Sequence, residues 1–348
     1  MLIAPNTTKD KIRRFFTQKV SFKSFFNTTG FWGSLASISG ISCYSIYKND
    51  NIIAIIALSM MSLIALYFQY KYYHYQEKVA LANSLHQYRH EISEEIRCLD
   101  SYFYNLITSK APDQINEQEI DDATVSHYTQ ICKILHNAFD LYKIKPSGIF
   151  IRALNRKEMS LKTIAKNCTR TSEDTEPLSK NLFARMLIRC LTKNQQLISD
   201  FNKKGNCSLP KVPINSNHEI PCLALCNFES KNFPSALNDI LNEYDAKLNN
   251  TRKNFELVTA LIKRINGNYK SCLGFTISNR GQKADSEEVA EIPVAGFLGI
   301  DSQNPHDFEK IDGPFMNFLA GTADALYATI NTKTIMVNYA KNKKEKKS

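Results

Sequence analysis

Two segments in the C-terminal third, YKSCLGFTI (residues 269–277) and IPVAGFLGIDSQNPHDFEKID (residues 292–312), decide the predicted fold. Each contains a short apolar run bounded by polar or turn-forming residues, which is typical of a β-strand. The next segment, FLAGTADALYATI (residues 318–330), has apolar side chains at helical spacing. The sequence therefore predicts two strands and then a last helix that runs from Asp312 to about Asn331.

An earlier pair of strands is predicted at SGIFIRALN (residues 147–155) and SLKTIAKNC (residues 160–168). The intervening RKEM makes a short hairpin connection, so an antiparallel sheet begins here. Before it, Asp121 is expected to cap a helix. After it, TSEDTEPLS (residues 171–179) is expected to cap a helix that ends near Leu191, and an amphipathic helical region is expected between residues 235 and 265.

These elements resemble the C-terminal half of a GAF domain. The positions that carry the resemblance are a Tyr-basic-Ser strand, a Pro-x-x-Gly-x-Leu-x-Ile strand, a Phe that closes the loop and an Asp that begins the last helix: Tyr269, Lys270, Ser271, Pro293, Gly296, Leu298, Ile300, Phe308 and Asp312. Where the cyclic-nucleotide-binding branch of that family has an Asn-Lys pair and a Glu, this chain has Asp301, Ser302 and Gly313. The resemblance implies an antiparallel sheet flanked by helices, with a cavity for a small molecule.

By the same resemblance, the first strand, residues 183–228 and the Tyr-basic-Ser strand would line that cavity. The ligand-binding residues are predicted to be Phe150, Arg152, Tyr269, Lys270, Ser271 and Phe275. Arg152 or Lys270 could pair with a phosphate or carboxylate of the ligand. The alternative for either side chain is a surface salt bridge.

The N-terminal part of the chain contains two apolar stretches, residues 31–47 and 52–70, without a charged residue. Each is predicted to cross a bilayer, although the first is short and rich in serine. Four polar residues, 48–51, separate them and predict an antiparallel hairpin. Six basic residues precede the hairpin, and Lys71 and Lys78 follow it, so both termini are expected in the cytoplasm and the protein in the inner (plasma) membrane. A cleaved signal peptide is the alternative.

Small residues recur on one face of the first apolar stretch, at Gly33, Ser37 and Gly40. Such a face lets another helix approach closely. It could pack only against the second helix of the same hairpin, or it could join several hairpins in a homo-oligomer. The basic, phenylalanine-containing segment before the hairpin, residues 1–30, is expected to lie on the membrane surface.

After the hairpin, residues 71–118 are predicted to form a helical stalk. Leu85, Ile92, Leu99 and Leu106 recur every seven residues, which favours a coiled-coil dimer or a helix packed within the same chain. His86, His90 and Glu94 stand at four-residue spacing and are interpreted as a solvated face rather than a metal site.

The formal net charge of +10 is concentrated at the two ends of the chain, in residues 1–30 and in the lysine-rich tail, residues 333–348. Anionic lipid is the expected partner of these ends, and nucleic acid is not expected. Nine scattered cysteines indicate a reducing compartment, and Cys222 and Cys226 lack a second ligand pair for a metal. We find no motif of a known enzyme class, and expect neither catalytic residues nor a cofactor.

The predicted fold class is thus α+β: a transmembrane hairpin, a stalk and a GAF-like sensor domain over residues 119–332. The expected function is that of a membrane-anchored cytoplasmic sensor of a small molecule that perturbs the membrane through its hairpin. In architecture this resembles the two-helix membrane effectors of bacterial nucleotide-signalled antiphage systems. The alternative is a membrane-tethered receptor or scaffold whose GAF-like domain binds a protein.

Overall fold

A computed structural model gives the fold of this protein. The structure describes residues 52–111, 114–168, 175–181, 222–225, 270–278 and 294–345, together with Gly33, Ala36, Ser37, Gly40, Tyr44 and Ala184. The chain divides into two compact units, Met1–Ser84 and Leu85–Ser348. Outside the described residues lie most of the first apolar stretch, the helix predicted to end near Leu191 apart from Ala184, the helical region predicted between residues 235 and 265, and Tyr269.

The first long helix, α1, runs without interruption from Ile52 to Ser109. The second apolar stretch and the stalk, which were predicted as separate segments, are therefore parts of one helix. Among the described residues, none of the helices combines the length and the apolar character that a membrane crossing requires. The large apolar side chains described between Ile56 and Phe68 are nevertheless mostly exposed.

The heptad stripe of α1 lies in the hydrophobic core of the second unit. Leu85, Ile92, Leu99 and Leu106 are all buried there, together with Phe103. The coiled-coil interpretation is therefore wrong, because a stripe that is covered by its own chain cannot pack against a second copy. The alternative, packing within the chain, is what the structure contains.

The second helix, α2, spans Glu117–Asp140 and packs beside the end of α1. Its cap is Asn116, whose side chain accepts a hydrogen bond of 3.1 Å from the Gln118 N–H. The predicted cap, Asp121, lies inside the helix, because Asn116 satisfies the first N–H groups one turn earlier. Polar contacts join α2 to α1 and to the residue after it: His127 Nδ1 lies 2.7 Å from Glu95 Oε2, and Lys110 Nζ lies 2.8 Å from Glu119 Oε2.

Within the described part of the chain, six antiparallel strands form a single sheet with the order β3-β2-β1-β6-β5-β4. They are β1 (Gly148–Asn155), β2 (Ser160–Cys168), β3 (Thr175–Pro177), β4 (Cys222–Leu225), β5 (Ser271–Ser278) and β6 (Val294–Ser302). The predicted strands at β1, β2, β5 and β6 are confirmed, and so is the hairpin between β1 and β2. The α+β class with an antiparallel sheet and helices is confirmed with them.

The strand β3 corrects a prediction. The segment that contains it was expected to cap a helix, but Thr175–Pro177 pairs with Ser160–Lys162 at the edge of the sheet. A proline is tolerated there because an edge strand needs only one row of hydrogen bonds. A short 3₁₀ turn, Leu178–Lys180, follows directly.

The last helix, α3, extends from Gly313 to Glu345. The helix begins at Asp312 to within one residue, as predicted, and Asp312 caps it: its Oδ1 accepts a hydrogen bond of 3.1 Å from the Phe315 N–H and one of 2.5 Å from the Tyr142 hydroxyl. Burial and the Asp312 carboxylate raise the pKa of Tyr142 well above its usual range. The helix continues beyond the predicted end near Asn331, because Met336 and Ala340 are buried in the core. Most of the lysine-rich tail is thus helical.

The carboxylate of Asp121 on α2 joins α2 to α3 through Lys333, whose Nζ lies 2.6 Å away. Burial alone would raise the pKa of Asp121, but Lys333 and, more distantly, Lys162 outweigh it, so the pKa lies below its ordinary value. A carboxyl whose pKa is lowered by folding stabilises the protein above its unfolded pKa, and this contribution is lost as the pH falls through the folded pKa.

We therefore expect Asp121→Asn to lower the free energy of unfolding at pH 7 by a few tenths to about 1 kcal/mol, because the pair is partly exposed. The difference from the wild type should shrink as the pH falls below the ordinary pKa of the carboxyl, about 3.8. Urea unfolding at neutral and acid pH measures it. If the variant and the wild type differ in free energy of unfolding by the same amount at neutral and at acid pH, the charge of Asp121 contributes nothing to stability.

Candidate functional site

The two faces of the sheet have different surroundings. Residues that pair across neighbouring strands share a face, and successive residues alternate between faces. Ile151, Leu298 and Phe275 occupy one row of the first face and are buried in the core that contains the helices. Phe150, Gly299 and Gly274 occupy the adjacent row on the second face. The second face is the candidate site.

The second face contains a guanidinium group, that of Arg152, in an ion pair with Glu176. Arg152 Nη1 donates a 2.9 Å hydrogen bond to Glu176 Oε2, and only 16% of the arginine side chain and 4% of the glutamate side chain are exposed. The Asn181 amide donates a second bond of 2.9 Å to the same oxygen. The Arg152 guanidinium carbon lies 5.6 Å from the centre of the Phe150 ring, within range of a cation–π contact. The pair is therefore largely removed from water.

Beside this ion pair lies a part of the sheet without side chains, which we call the glycine floor: Gly274 on β5 and Gly299 on β6, which pair with each other. The Phe150 ring does not cover these two glycines but lies against Gly148 on its own strand. A Cβ on Gly148 would be 2.7 Å from Phe150 Cζ. A Cβ on Gly299 would have no atom within 4 Å in the part of the chain that the structure describes. Gly299 is itself partly exposed, whereas Gly274 is buried, so among the described residues the free space lies above Gly299.

The row next to the glycine floor supplies its walls and polar groups. Arg152, Phe297 and Thr276 pair in register across β1, β6 and β5. Phe297 and Thr276 are both buried, and the Thr276 and Ser278 hydroxyls are 3.3 Å apart. An apolar floor and walls with one guanidinium and one hydroxyl can accept a flat group that carries a negative charge.

The loop after β6 is fixed by a buried polar network. The Asp307 carboxylate accepts hydrogen bonds of 2.6 Å from the Ser302 hydroxyl and 2.9 Å from the Asn304 amide. The Ser271 hydroxyl donates a bond of 2.7 Å to the Asn304 carbonyl. This network places the loop so that Phe308 enters the core, where it contacts Phe139 edge to face.

The predicted ligand-binding residues are only partly brought together. Phe150 and Arg152 lie side by side on the second face, whereas Phe275 is buried on the opposite face among the helices. The hydroxyl of Ser271 is fully buried and already bonded to Asn304. Lys270 is exposed at the start of β5, and its N–H donates to the Ser302 carbonyl at 2.8 Å.

Sequence reasoning missed Glu176 and the glycine floor. Glu176 lies in a segment whose acidic residues indicated a helix start, and its partner is twenty-four residues away. The glycines could have been noticed, because Gly274 and Gly299 each interrupt the apolar run of a C-terminal strand. Only the register shows that they are paired, however.

The predicted small-residue face is described at a few positions. Gly33, Ala36, Ser37, Gly40 and Tyr44 are helical and exposed, and the Ser37 hydroxyl donates to the Gly33 carbonyl at 3.0 Å. Within the described residues, no group of three or more His, Cys, Asp or Glu side chains could hold a metal ion. His90 is 70% exposed, with Nδ1 3.8 Å from Glu94 Oε1.

Comparisons with known proteins found no matching family model and no matching curated protein. Among solved structures, the chain is similar to the chromophore-binding domain of an unusual bacteriophytochrome from R. palustris, with a TM-score of 0.34 and 8% sequence identity. The match covers 70% of this chain and 63% of that chain, so it spans less than two thirds of the bacteriophytochrome domain's length.

Proposed function

We propose that this protein is a membrane-anchored sensor. The GAF-like domain binds a small molecule on the second face of the sheet, and the N-terminal hairpin acts on the membrane in response. The observation that carries the proposal is the partly exposed Gly299, whose Cβ would meet no described atom within 4 Å, beside the Phe150 ring and the Arg152 guanidinium.

The chemistry of this face favours a flat ligand with an acidic group, such as a nucleotide. The ring system would lie against the glycine floor, where a side chain would otherwise stand. The acidic group would approach Arg152, which can bind a phosphate or carboxylate through two N–H groups at once. Because Glu176 already holds Arg152, such a ligand would compete with Glu176 or share the guanidinium with it.

The proposed output is the hairpin over residues 31–70, lodged in the inner membrane with both termini in the cytoplasm. The apolar side chains described on α1 before Tyr72 support an apolar environment, because most of them are exposed. Anionic lipid would hold the basic N-terminal segment, and the face of Gly33, Ser37 and Gly40 would join hairpins of several copies. A ligand that favours the assembled state by about 3 kcal/mol shifts the equilibrium more than a hundredfold. A role in antiphage defence fits this combination.

Release of dye from anionic liposomes tests both halves of the proposal. Linear and cyclic nucleotides, and the small-molecule fraction of a cell extract, are added one at a time to liposomes that carry the full-length protein. We expect the addition that contains the ligand to cause leakage. Gly299→Leu should abolish the response by filling the space above the glycine floor, whereas the matched control Gly299→Ala should fold normally. Leakage that no addition ever provokes would count against the effector role.

A second variant tests the hairpin separately. Changing Gly33 and Gly40 together to leucine should prevent close approach of the helices and abolish leakage, while the protein still floats with the liposomes. Unchanged activity in the double variant would favour the second candidate function, a membrane-tethered receptor or scaffold that binds a protein partner. The exposure of Val125 on α2 and of Ile335 and Tyr339 on α3 favours that alternative.

A further inference from the structure

A dense group of tyrosines occupies the middle of α1. The nine residues 67–75, YFQYKYYHY, contain five tyrosines, one phenylalanine, one lysine and one histidine. All nine are helical. We call this segment the tyrosine belt, and neither the ligand site nor the small-residue face of the hairpin explains it.

The five tyrosines point in all directions around α1. At about 100° per residue, Tyr67, Tyr70, Tyr72, Tyr73 and Tyr75 are spread over the whole circumference of the helix. Tyr72 and Tyr67 are exposed, and Tyr70 packs with Leu66 and Tyr73. Tyr70 is buried, whereas the exposed Tyr67 and Tyr72 lie about 140° apart around the axis, wider than the stripe of about 100° that one packed helix face covers.

The residues on the two sides of the tyrosine belt differ in character. On the N-terminal side, the chain has no charged residue from Ile52 to Tyr70, and five large apolar side chains are between 51% and 65% exposed: Ile56, Met60, Met61, Leu63 and Ile64. On the C-terminal side, Gln76, Glu77 and Lys78 are all exposed. The belt therefore lies where an apolar surface changes to a charged one.

Polar groups within the belt are held close to the aromatic rings. Lys71 is buried, with Nζ 5.7 Å from the centre of the Tyr67 ring. The Gln76 amide donates a hydrogen bond of 2.8 Å to the Tyr72 hydroxyl. Tyrosine suits a boundary of this kind because its ring is apolar and its hydroxyl seeks a polar partner.

We infer that residues 67–75 lie at the boundary between lipid and water, with their aromatic rings among the glycerol and headgroup region of a phospholipid bilayer. This inference rests on the proposed membrane anchoring and adds the depth at which the chain sits. The apolar residues before Tyr67 then face acyl chains, and Gln76 and the residues after it face water. From residue 67 to 75 the helix rises about 12 Å, more than the roughly 5 to 8 Å of one interfacial layer, so the two ends of the belt reach the acyl chains and the water.

The test uses full-length protein in vesicles of phosphatidylcholine and phosphatidylglycerol. The single native tryptophan is removed by Trp32→Phe, and one reporter is introduced at a time: Tyr72→Trp in the belt, Met61→Trp before it and Tyr104→Trp beyond it. All three positions are exposed on α1, so each substitution should leave the fold intact. Lipids brominated near the glycerol end or near the methyl end of the acyl chain then report depth by quenching.

We expect the Tyr72→Trp reporter to lose most intensity with bromine near the glycerol end, and the Met61→Trp reporter with bromine near the methyl end. The Tyr104→Trp reporter should be quenched by neither. If the Met61→Trp reporter is quenched but the Tyr72→Trp reporter is not, the anchoring stands and the boundary at residues 67–75 is wrong. If neither is quenched, the membrane anchoring itself is wrong, and a protein surface is the better occupant of the exposed face.

Discussion

Gly296→Ala is expected to prevent the sheet from forming in its present register. A Cβ at this position would lie 2.0 Å from the Arg152 carbonyl oxygen and 3.1 Å from the Ala153 Cα. Both are backbone atoms of β1, the strand that pairs with β6 here. Neither can move aside as the end of a side chain could, so β1 and β6 would have to separate at the centre of the sheet. We expect a loss of stability at or beyond the upper end of the usual overpacking range, about 3 kcal/mol.

Chemical denaturation of the full chain, followed by circular dichroism, measures this loss. Gly299→Ala is the matched control, since it makes the same change three residues along the same strand. Its methyl group meets no described atom within 4 Å, and alanine loses less backbone entropy on folding than glycine. The control should therefore keep its stability or gain up to about 1 kcal/mol. If both variants unfold alike, the close approach of β1 to Gly296 does not exist.

Glu176→Ala is expected to produce the second large effect, a loss of about 3 kcal/mol, because it leaves a mostly buried guanidinium without its carboxylate. Arg152 and Asn181 both donate to Glu176, and both would lose this partner. The edge strand β3 would be affected most, since Glu176 is its central residue and only three of its residues pair with β2.

Two further variants separate charge from packing. Glu176→Gln keeps the volume and an acceptor oxygen, so it should cost less than the alanine. Replacing Arg152 and Glu176 together by methionine and leucine should recover much of the loss, because a buried ion pair can be exchanged for apolar groups at little cost. With Arg152→Met and Glu176→Leu as the single variants, the free energies of unfolding form a double-mutant cycle. Additive losses would mean that the two side chains do not interact.

The sequence predicts the strands well where the pattern is local. The strands β1, β2, β5 and β6 are short apolar runs between turn residues, and their boundaries agree with the structure to within about two residues. The start of α3 was predicted at Asp312, and the residue caps this helix because its carboxylate accepts from an N–H group in the next turn. Such signals depend on neighbours in the chain and can be read without the fold.

Other features depend on distant residues and could not be read in this way. The heptad spacing of α1 indicates that one stripe of the helix is buried. The same spacing is expected whether the stripe packs against a second chain or against other parts of the same chain. The strand β3 has no pattern of its own and exists because Ser160–Lys162 offers an unpaired edge. Phe150 and Arg152, predicted as ligand-binding residues by family resemblance, lie side by side on the second face, whereas Phe275, predicted with them, lies on the opposite face. The sequence could not show this difference, because β5 is buried along its whole length and its residues do not alternate in character.

The strand order places β1, near the middle of the chain, against β6, near its end, with Gly148 opposite Asp301. During synthesis the ribosome must therefore add about 150 residues after β1 before its inner partner exists. At 5 to 20 residues per second this takes roughly 8 to 30 s. Throughout that interval the nascent β1–β2 hairpin presents an unpaired edge that carries Ile149 and Ile151, which is the kind of surface that chaperones bind and aggregation exploits.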